Sequence, residues 1–189
     1  MYYGAIKNYD IANGTGVRVS LFVSGCTNRC EGCFQPETWD FKYGRPFTEQ
    51  TRRQIMQMLS PPYIAGLTVL GGDPFEPSNQ IGLIELLRGV KSKMPSKTIW
   101  MYTGYTYENL PQTEVTQEII SLADVLVDGR FEMDFVPVIN RASCTDVKLI
   151  KSDQNQVFGR FTGTVVLDDG TRIAVKDLFG FAEKVENKW

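Results

Sequence analysis

The chain has 189 residues, 42% hydrophobic and 22% charged, which suits one soluble globular domain, with at most a small appendage and a core that needs no disulfide staples. Its net charge of −2 argues against a nucleic-acid or anionic-membrane partner. Histidine is absent, which excludes imidazole acid–base catalysis, Ser-His and Cys-His pairs and any zinc site that needs imidazole.

No stretch of about 18 apolar residues suggests a membrane span. The start, Met1-Tyr2-Tyr3-Gly4, does not read as a signal peptide, so a cytoplasmic location is expected. Three of the four cysteines crowd together and Cys144 stands apart, which is no secreted disulfide framework.

In chain order, residues 1–16 read as a lead-in ending in a glycine turn, Asn13-Gly14-Thr15-Gly16. Val17–Val23 alternates and is rich in β-branched and aromatic residues, so it predicts a strand. That strand delivers the chain into Gly25-Cys26-Thr27-Asn28-Arg29-Cys30-Glu31-Gly32-Cys33-Phe34. An irregular surface segment is expected through Pro46. Thr48 then caps a helix over 49–59, stopped by Pro61-Pro62. Gly66–Leu70 predicts a strand ending at Gly71-Gly72-Asp73-Pro74. Ser78 or Asn79 starts a second helix, with Ile81, Leu83, Ile84, Leu86, Leu87 and Val90 at helical spacing. Thr98–Tyr102 is a third strand, Val115–Ala123 a third helix and Val125–Val127 a fourth strand, ending at Asp128-Gly129-Arg130.

This alternation predicts a parallel α/β sheet whose strands end in glycine-containing or polar loops along one edge, where chemistry gathers in such folds. Four β/α units are too few for a closed eight-stranded barrel and suggest an incomplete, open one. From about Met133 the pattern weakens. Val147–Ile150 is a candidate strand, and residues 163–175 read as a β-hairpin turning at Asp169-Gly170. The expected division is a partial-barrel domain over 1–135 and a C-terminal elaboration over 136–189, packed on the same domain.

Cys26, Cys30 and Cys33 are spaced C-x3-C-x2-C. Three such thiolates can satisfy three irons of a 4Fe–4S cubane and leave the fourth iron without a protein ligand. The alternative is a zinc site of Cys26, Cys30, Cys33 and Cys144, in a non-catalytic interaction module. Gly71-Gly72-Asp73 is either a plain turn or a place where backbone approaches a ligand beside a carboxylate that accepts from an ammonium group. Asp128-Gly129-Arg130 is either a surface turn or a polar contact to a cofactor or cation. Tyr102-Thr103-Gly104-Tyr105 is either core packing or a cofactor-lining loop.

The cysteine motif after a first strand resembles the radical S-adenosylmethionine family. The Gly71-Gly72-Asp73 segment resembles that family's Gly-Gly-acidic contact to the amino group of S-adenosylmethionine. Asp128-Gly129-Arg130 is similar to the Asp-x-Lys element of glycyl-radical activases, with Arg in place of Lys. Taken together, Asp10–Arg18, Leu21–Cys26, Gly32–Trp39, Gly71–Pro74, Trp100–Tyr105 and Asp124–Arg130 resemble the activating proteins of anaerobic ribonucleoside-triphosphate reductases. The tail departs from that family. Its Arg141–Lys148 is only a distant match to the expected Arg-Gly-Ser-x-Asn-Gln-Arg-like segment, which leaves Cys144 most simply a non-ligand.

The resemblance implies an incomplete (β/α) barrel of the radical SAM type with a divergent tail. It implies an oxidoreductase that cleaves S-adenosylmethionine reductively at a 4Fe–4S cluster and generates a glycyl radical on an anaerobic (class III) ribonucleotide reductase. Cys26, Cys30 and Cys33 are then the metal ligands and the catalytic center. Gly32, Cys33 and Phe34 lie along the adenine, Gly71, Gly72 and Asp73 along the methionine end, and Asp128 and Arg130 near the cofactor. A flavodoxin or ferredoxin electron donor and a homodimer are implied likewise. An activase for another glycyl-radical enzyme, or a radical enzyme acting on a small metabolite, stays open as an alternative.

Overall fold

The computed structural model describes residues 1–129, 133–146, 151–166 and 172–188. Chain contacts divide it into two units, Met1–Arg130 and Phe131–Trp189.

The first unit is a six-stranded mixed sheet with helices. Its strands are β1 (Tyr2–Asp10), β2 (Val17–Val23), β3 (Arg45–Pro46), β4 (Ile64–Gly71), β5 (Thr98–Tyr102) and β6 (Val125–Val127). They lie in the order β3-β1-β2-β4-β5-β6. The four strands from β2 to β6 run parallel, while β1 is antiparallel to both β2 and β3. The helices are α1 (Glu49–Leu59), α2 (Pro77–Lys93) and α3 (Glu114–Leu122).

Alternation decides the faces of the sheet. Val19, Leu21, Val23, Leu67, Val69, Ile99 and Met101 point one way and are fully buried in one apolar cluster with Ile55, Leu59, Leu83, Leu86, Leu87, Val90 and Ile119 of the helices. The intervening Arg18, Ser20 and Thr68 are also fully buried, so the other face carries shielded polar groups, with Phe22, Leu70, Trp100 and Tyr102 half-buried on the same side.

The lead-in expected over residues 1–16 is a strand for most of its length. Tyr3 pairs with Val23 and Asp10 with Arg18, across two register shifts. From Gly4 on its burial alternates between half-buried and exposed, and the apolar signal is weak because Gly4, Asn8 and Asp10 occupy the half-buried side. The glycine turn is present, with Gly14 and Gly16 at φ of 116° and 77°. The segment expected to be irregular surface holds a short 3-10 turn at Pro36–Trp39 and β3, and Thr38 within it is buried. α2 begins at Pro77, with Glu76 as its cap, earlier than Ser78 or Asn79. Ile81, expected on the apolar face of α2, is 74% exposed.

The second unit is a three-stranded antiparallel sheet of β7 (Met133–Asp146), β8 (Lys151–Val166) and β9 (Arg172–Lys188), in that order. The expected hairpin arms pair as Gly163 with Val175 and Val166 with Arg172. Its turn at Asp169-Gly170 and the candidate strand Val147–Ile150 lie outside the described residues.

Candidate functional site

Parallel register brings four strand ends to one edge. Val23 pairs with Gly71, Val69 with Met101 and Tyr102 with Val127. The segments that leave there are Ser24–Phe34, Gly72–Glu76, Thr103–Tyr107 and Asp128-Gly129. The sheet thus gathers the cysteine loop, Gly72-Asp73, Thr103-Gly104-Tyr105 and Asp128-Gly129 at one edge.

The cysteine loop is tied to the sheet at its base. Gly25 has φ of 96° and donates its amide to Thr38 O at 2.7 Å, and Asp73 donates its amide to Gly25 O at 2.8 Å. Farther along, Cys33 N donates to Cys30 O at 3.2 Å, and Gly32 makes a turn with φ of 74°. The three thiols are free and half-buried. Phe34 is 94% exposed, so its ring is without packing neighbours to hold it. Cys144 lies on β7, opposite Asp153.

Two carboxylates stand behind the loop. Asp73 is fully buried. Its Oδ1 accepts from Phe75 N at 3.0 Å and Thr103 Oγ1 at 2.9 Å. Its Oδ2 accepts from Gly104 N at 2.9 Å, Thr103 Oγ1 at 3.0 Å and Asn28 Nδ2 at 3.1 Å. Asp73, expected as a carboxylate that accepts from an ammonium group, thus also accepts from donors of its own chain. Glu76, nearly buried, accepts at Oε1 from Thr27 N at 2.7 Å, Thr27 Oγ1 at 2.6 Å and Tyr105 OH at 3.3 Å.

These groups set the electrostatics of the loop. Burial pushes the Cys26 thiol up, with Asp73 and Glu76 adding to the rise, while amide hydrogen bonds from Asn28 and Arg29 pull it down. Burial also raises the Asp73 carboxyl, against the pull of its donors. A cavity of about 920 Å³ opens beside Cys26, lined by Thr27, Arg29, Trp39, Asp40, Phe41 and Lys42. That is ample for a small-molecule ligand.

Gly72 lies against Gly25, whose carbonyl oxygen would sit 2.5 Å from a Cβ added there. Asp128 is exposed and accepts the Tyr107 amide at 2.6 Å, which ties the β6 end to the next loop. Arg130 lies outside the described residues. Thr27, Asn28 and Glu76 were not singled out from the sequence as site residues, and Thr103 only as part of the candidate loop Tyr102-Thr103-Gly104-Tyr105. The available signals were the polar residues inside the cysteine loop and an acid placed to cap α2.

Among the described residues, no three Cys, His, Asp or Glu side chains gather closely enough to hold a metal ion. A cubane does not ask for that convergence, since it takes one thiolate on each of three separate irons. The all-thiol donor set of one loop suits such a cluster.

A family model described as a 4Fe-4S single cluster domain matches residues 12–150. A model of a domain of unknown function matches residues 116–189. The chain is 40% identical over 156 residues to the anaerobic ribonucleoside-triphosphate reductase-activating protein of Pasteurella multocida, covering 81% of this chain and 93% of that one. It is 42% identical over 132 residues to the protein of that name from Enterobacteria phage T4, covering 70% and 82%. The Escherichia coli K12 protein is 38% identical over 136 residues, covering 71% and 87%. No solved structure matches. With a 4Fe-4S domain model over most of its length and these relatives matched nearly end to end, the chain belongs to the family of anaerobic ribonucleoside-triphosphate reductase-activating proteins.

Proposed function

We propose that the chain activates an anaerobic (class III) ribonucleotide reductase by generating a glycyl radical on it, with a 4Fe–4S cluster and S-adenosylmethionine as cofactors. The observation that carries this reading is the C-x3-C-x2-C loop, with its three free thiols, at the gathered ends of four parallel strands. The names of the relatives support the choice of partner.

When bound, the cluster would supply one-electron reducing power toward the sulfonium of S-adenosylmethionine, the chemistry that hydrogen-atom abstraction from a glycine Cα of the reductase requires. Cys26, Cys30 and Cys33 hold the cluster as thiolates. Burial pushes the Cys26 thiol up, so binding it as a thiolate works against that shift. Backbone at Gly32, Cys33 and Phe34 runs along the adenine.

Gly71, Gly72 and Asp73 lie along the methionine end, where the glycines let backbone approach and Asp73 accepts from the amino group. Asp128 and Arg130 contribute a polar contact to cofactor or cation. The incomplete (β/α) barrel of residues 1–135 leaves an open side for the glycine-bearing loop of the reductase, and closing on it excludes water. Residues 136–189 form the C-terminal elaboration. A flavodoxin or ferredoxin supplies the electron, the chain pairs with itself or with the reductase, and the setting is the cytoplasm. Among the described residues, no helix is long and apolar enough to cross a membrane.

The test is anaerobic reconstitution with iron and sulfide, followed by assay for 5′-deoxyadenosine and by radical spectroscopy of the added reductase. Iron and sulfide near about four per chain, turnover and a glycyl-radical signal are expected. Zinc at about one per chain and no iron–sulfur signal would overturn the reading.

A further inference from the structure

The cysteine loop carries a device that cysteine spacing does not announce. Thr27 follows Cys26 directly, and both of its polar groups donate to one carboxylate oxygen, Glu76 Oε1: the amide at 2.7 Å and the hydroxyl at 2.6 Å. Tyr105 OH closes the triangle, 3.3 Å from that oxygen and 3.2 Å from Thr27 Oγ1. Glu76 immediately precedes α2 and Tyr105 lies three residues past the end of β5, so the bonds join the cysteine loop to the two neighbouring strand-end segments. Glu76 is only 3% exposed, and among the described residues it forms no ion pair. Its charge is compensated by hydrogen bonds to the loop and to Tyr105 rather than by a cation.

We propose that Glu76, assisted by Tyr105, is a positioning residue that clamps Thr27 to hold Cys26 in place and sets a negative charge beside the cluster that Cys26 ligates. The first half of the proposal concerns this chain alone, and the second rests on the cluster reading given above. A buried carboxylate accepting an amide and a hydroxyl makes strong, charge-assisted bonds, which suits a hinge that must not drift. A fixed negative charge near an iron–sulfur cluster opposes the arrival of an electron and so lowers the reduction potential. A site that must reduce a sulfonium ion benefits from a strongly reducing cluster.

Two substitutions separate the clamp from the charge. Glu76→Gln keeps a carbonyl oxygen for Thr27 and removes the charge. Glu76→Ala removes both. In the unloaded full-length protein, amide exchange at residues 26–29 reads the clamp without any cluster. Exchange there is expected to speed up at least tenfold in Glu76→Ala and to stay near wild type in Glu76→Gln. In reconstituted protein, the midpoint potential by redox titration is expected to move upward in Glu76→Gln with iron content unchanged, and iron content is expected to fall in Glu76→Ala.

Unchanged exchange at 26–29 in Glu76→Ala overturns the clamp. An unchanged potential in Glu76→Gln with a full cluster overturns the charge. If Glu76→Ala does not fold, Thr27→Val, which deletes only the hydroxyl donor, is expected to speed exchange at residues 26–29, and unchanged exchange overturns the clamp. Failure of the wild-type protein to assemble an iron–sulfur cluster overturns the cluster reading and the charge with it, and leaves the exchange result to decide the clamp.

Discussion

Asn28 Nδ2 donates to Asp73 Oδ2 at 3.1 Å, which ties the middle of the cysteine loop to the end of β4. The same carboxylate takes Thr103 Oγ1 on both oxygens and the Gly104 amide from the end of β5. Asp73 therefore joins three strand-end segments through one buried group. Thr103→Val keeps the shape and removes a donor shared by both oxygens. It is expected to cost about 1–3 kcal/mol, because a buried carboxylate is left short of hydrogen bonds. Urea unfolding of the unloaded protein measures it, and a loss below about 0.5 kcal/mol would mean that water replaces the hydroxyl.

The same carboxylate gives stability a pH dependence. Burial, the largest influence, raises the Asp73 carboxyl above its ordinary value of 3.8, so the folded state holds this proton more tightly than the unfolded chain does. The stability that this difference contributes is complete below the unfolded value and is lost as pH rises through the raised folded value. The stability difference between wild type and Asp73→Asn should therefore move against the wild type as pH climbs from about 3.5, then level off once the folded value is passed. Paired urea titrations across that range check it, and a difference that moves in favour of the wild type would mean that the hydrogen bonds outweigh burial.

Arg18 is a fully buried cation on the polar face of the sheet, and among the described residues it forms no ion pair. Its guanidinium donates to Thr68 Oγ1 at 2.7 Å, Leu67 O at 2.9 Å, Thr98 O and Oγ1 at 3.0 Å, and Thr15 O at 3.2 Å. It also lies 5.3 Å from the Trp100 ring centroid. A lysine ammonium cannot span this fork of acceptors. Arg18→Lys is expected to lose about 2–4 kcal/mol, from acceptors left unpaired around a buried charge. Thermal and urea unfolding report it.

Each cysteine of the loop should be separately indispensable if each ligates its own iron. Cys26→Ala, Cys30→Ala and Cys33→Ala are expected to lose the cluster spectrum and deoxyadenosine formation, while Cys144→Ala keeps both. Iron and sulfide analysis after anaerobic reconstitution provides the measurement. Loss of metal in Cys144→Ala would favour a four-thiolate site.

How much of this was legible depended on the range of the interaction. α1 was readable because its cap and apolar face are local: Thr48 accepts the Thr51 amide and Ile55 and Leu59 are buried. The four parallel strands were readable because each is a short apolar or β-branched run that ends in a glycine-containing loop. β1 was not, since residues such as Gly4 and Asn8 interrupt its apolar pattern. The cysteines and Gly71-Gly72 stood out by spacing within a few residues. The bonds of Thr27 to Glu76 and of Asn28 to Asp73 join positions 49 and 45 residues apart, so they exist only once the sheet has set its register. Asp73 shows the limit most clearly. Its position suggests a ligand contact, and nothing local in the sequence announces the donors from Asn28, Thr103 and Gly104 that reach it once the strand ends meet.

Gly72 offers a steric test of how closely the cysteine loop must approach β4. Its amide donates to Val23 O at 2.7 Å, and a Cβ there would meet Gly25 O at 2.5 Å and Gly25 N at 3.0 Å. Those are backbone atoms, fixed in turn by the bonds from Asp73 N to Gly25 O and from Gly25 N to Thr38 O, so no side chain can rotate away to make room. Gly72→Ala must therefore push the base of the loop outward. It is expected to cost about 1–3 kcal/mol and to lower cluster content, because Cys26 follows Gly25 directly. Gly89→Ala on α2 is the control: its Cβ meets Met56 Sδ at an ordinary 3.8 Å, and helix propensity predicts a gain of about 0.5–1 kcal/mol with cluster content unchanged. Urea unfolding and iron analysis of both variants check the pair, and a Gly72→Ala protein with wild-type iron content would show that the loop tolerates a looser seat than the structure gives it.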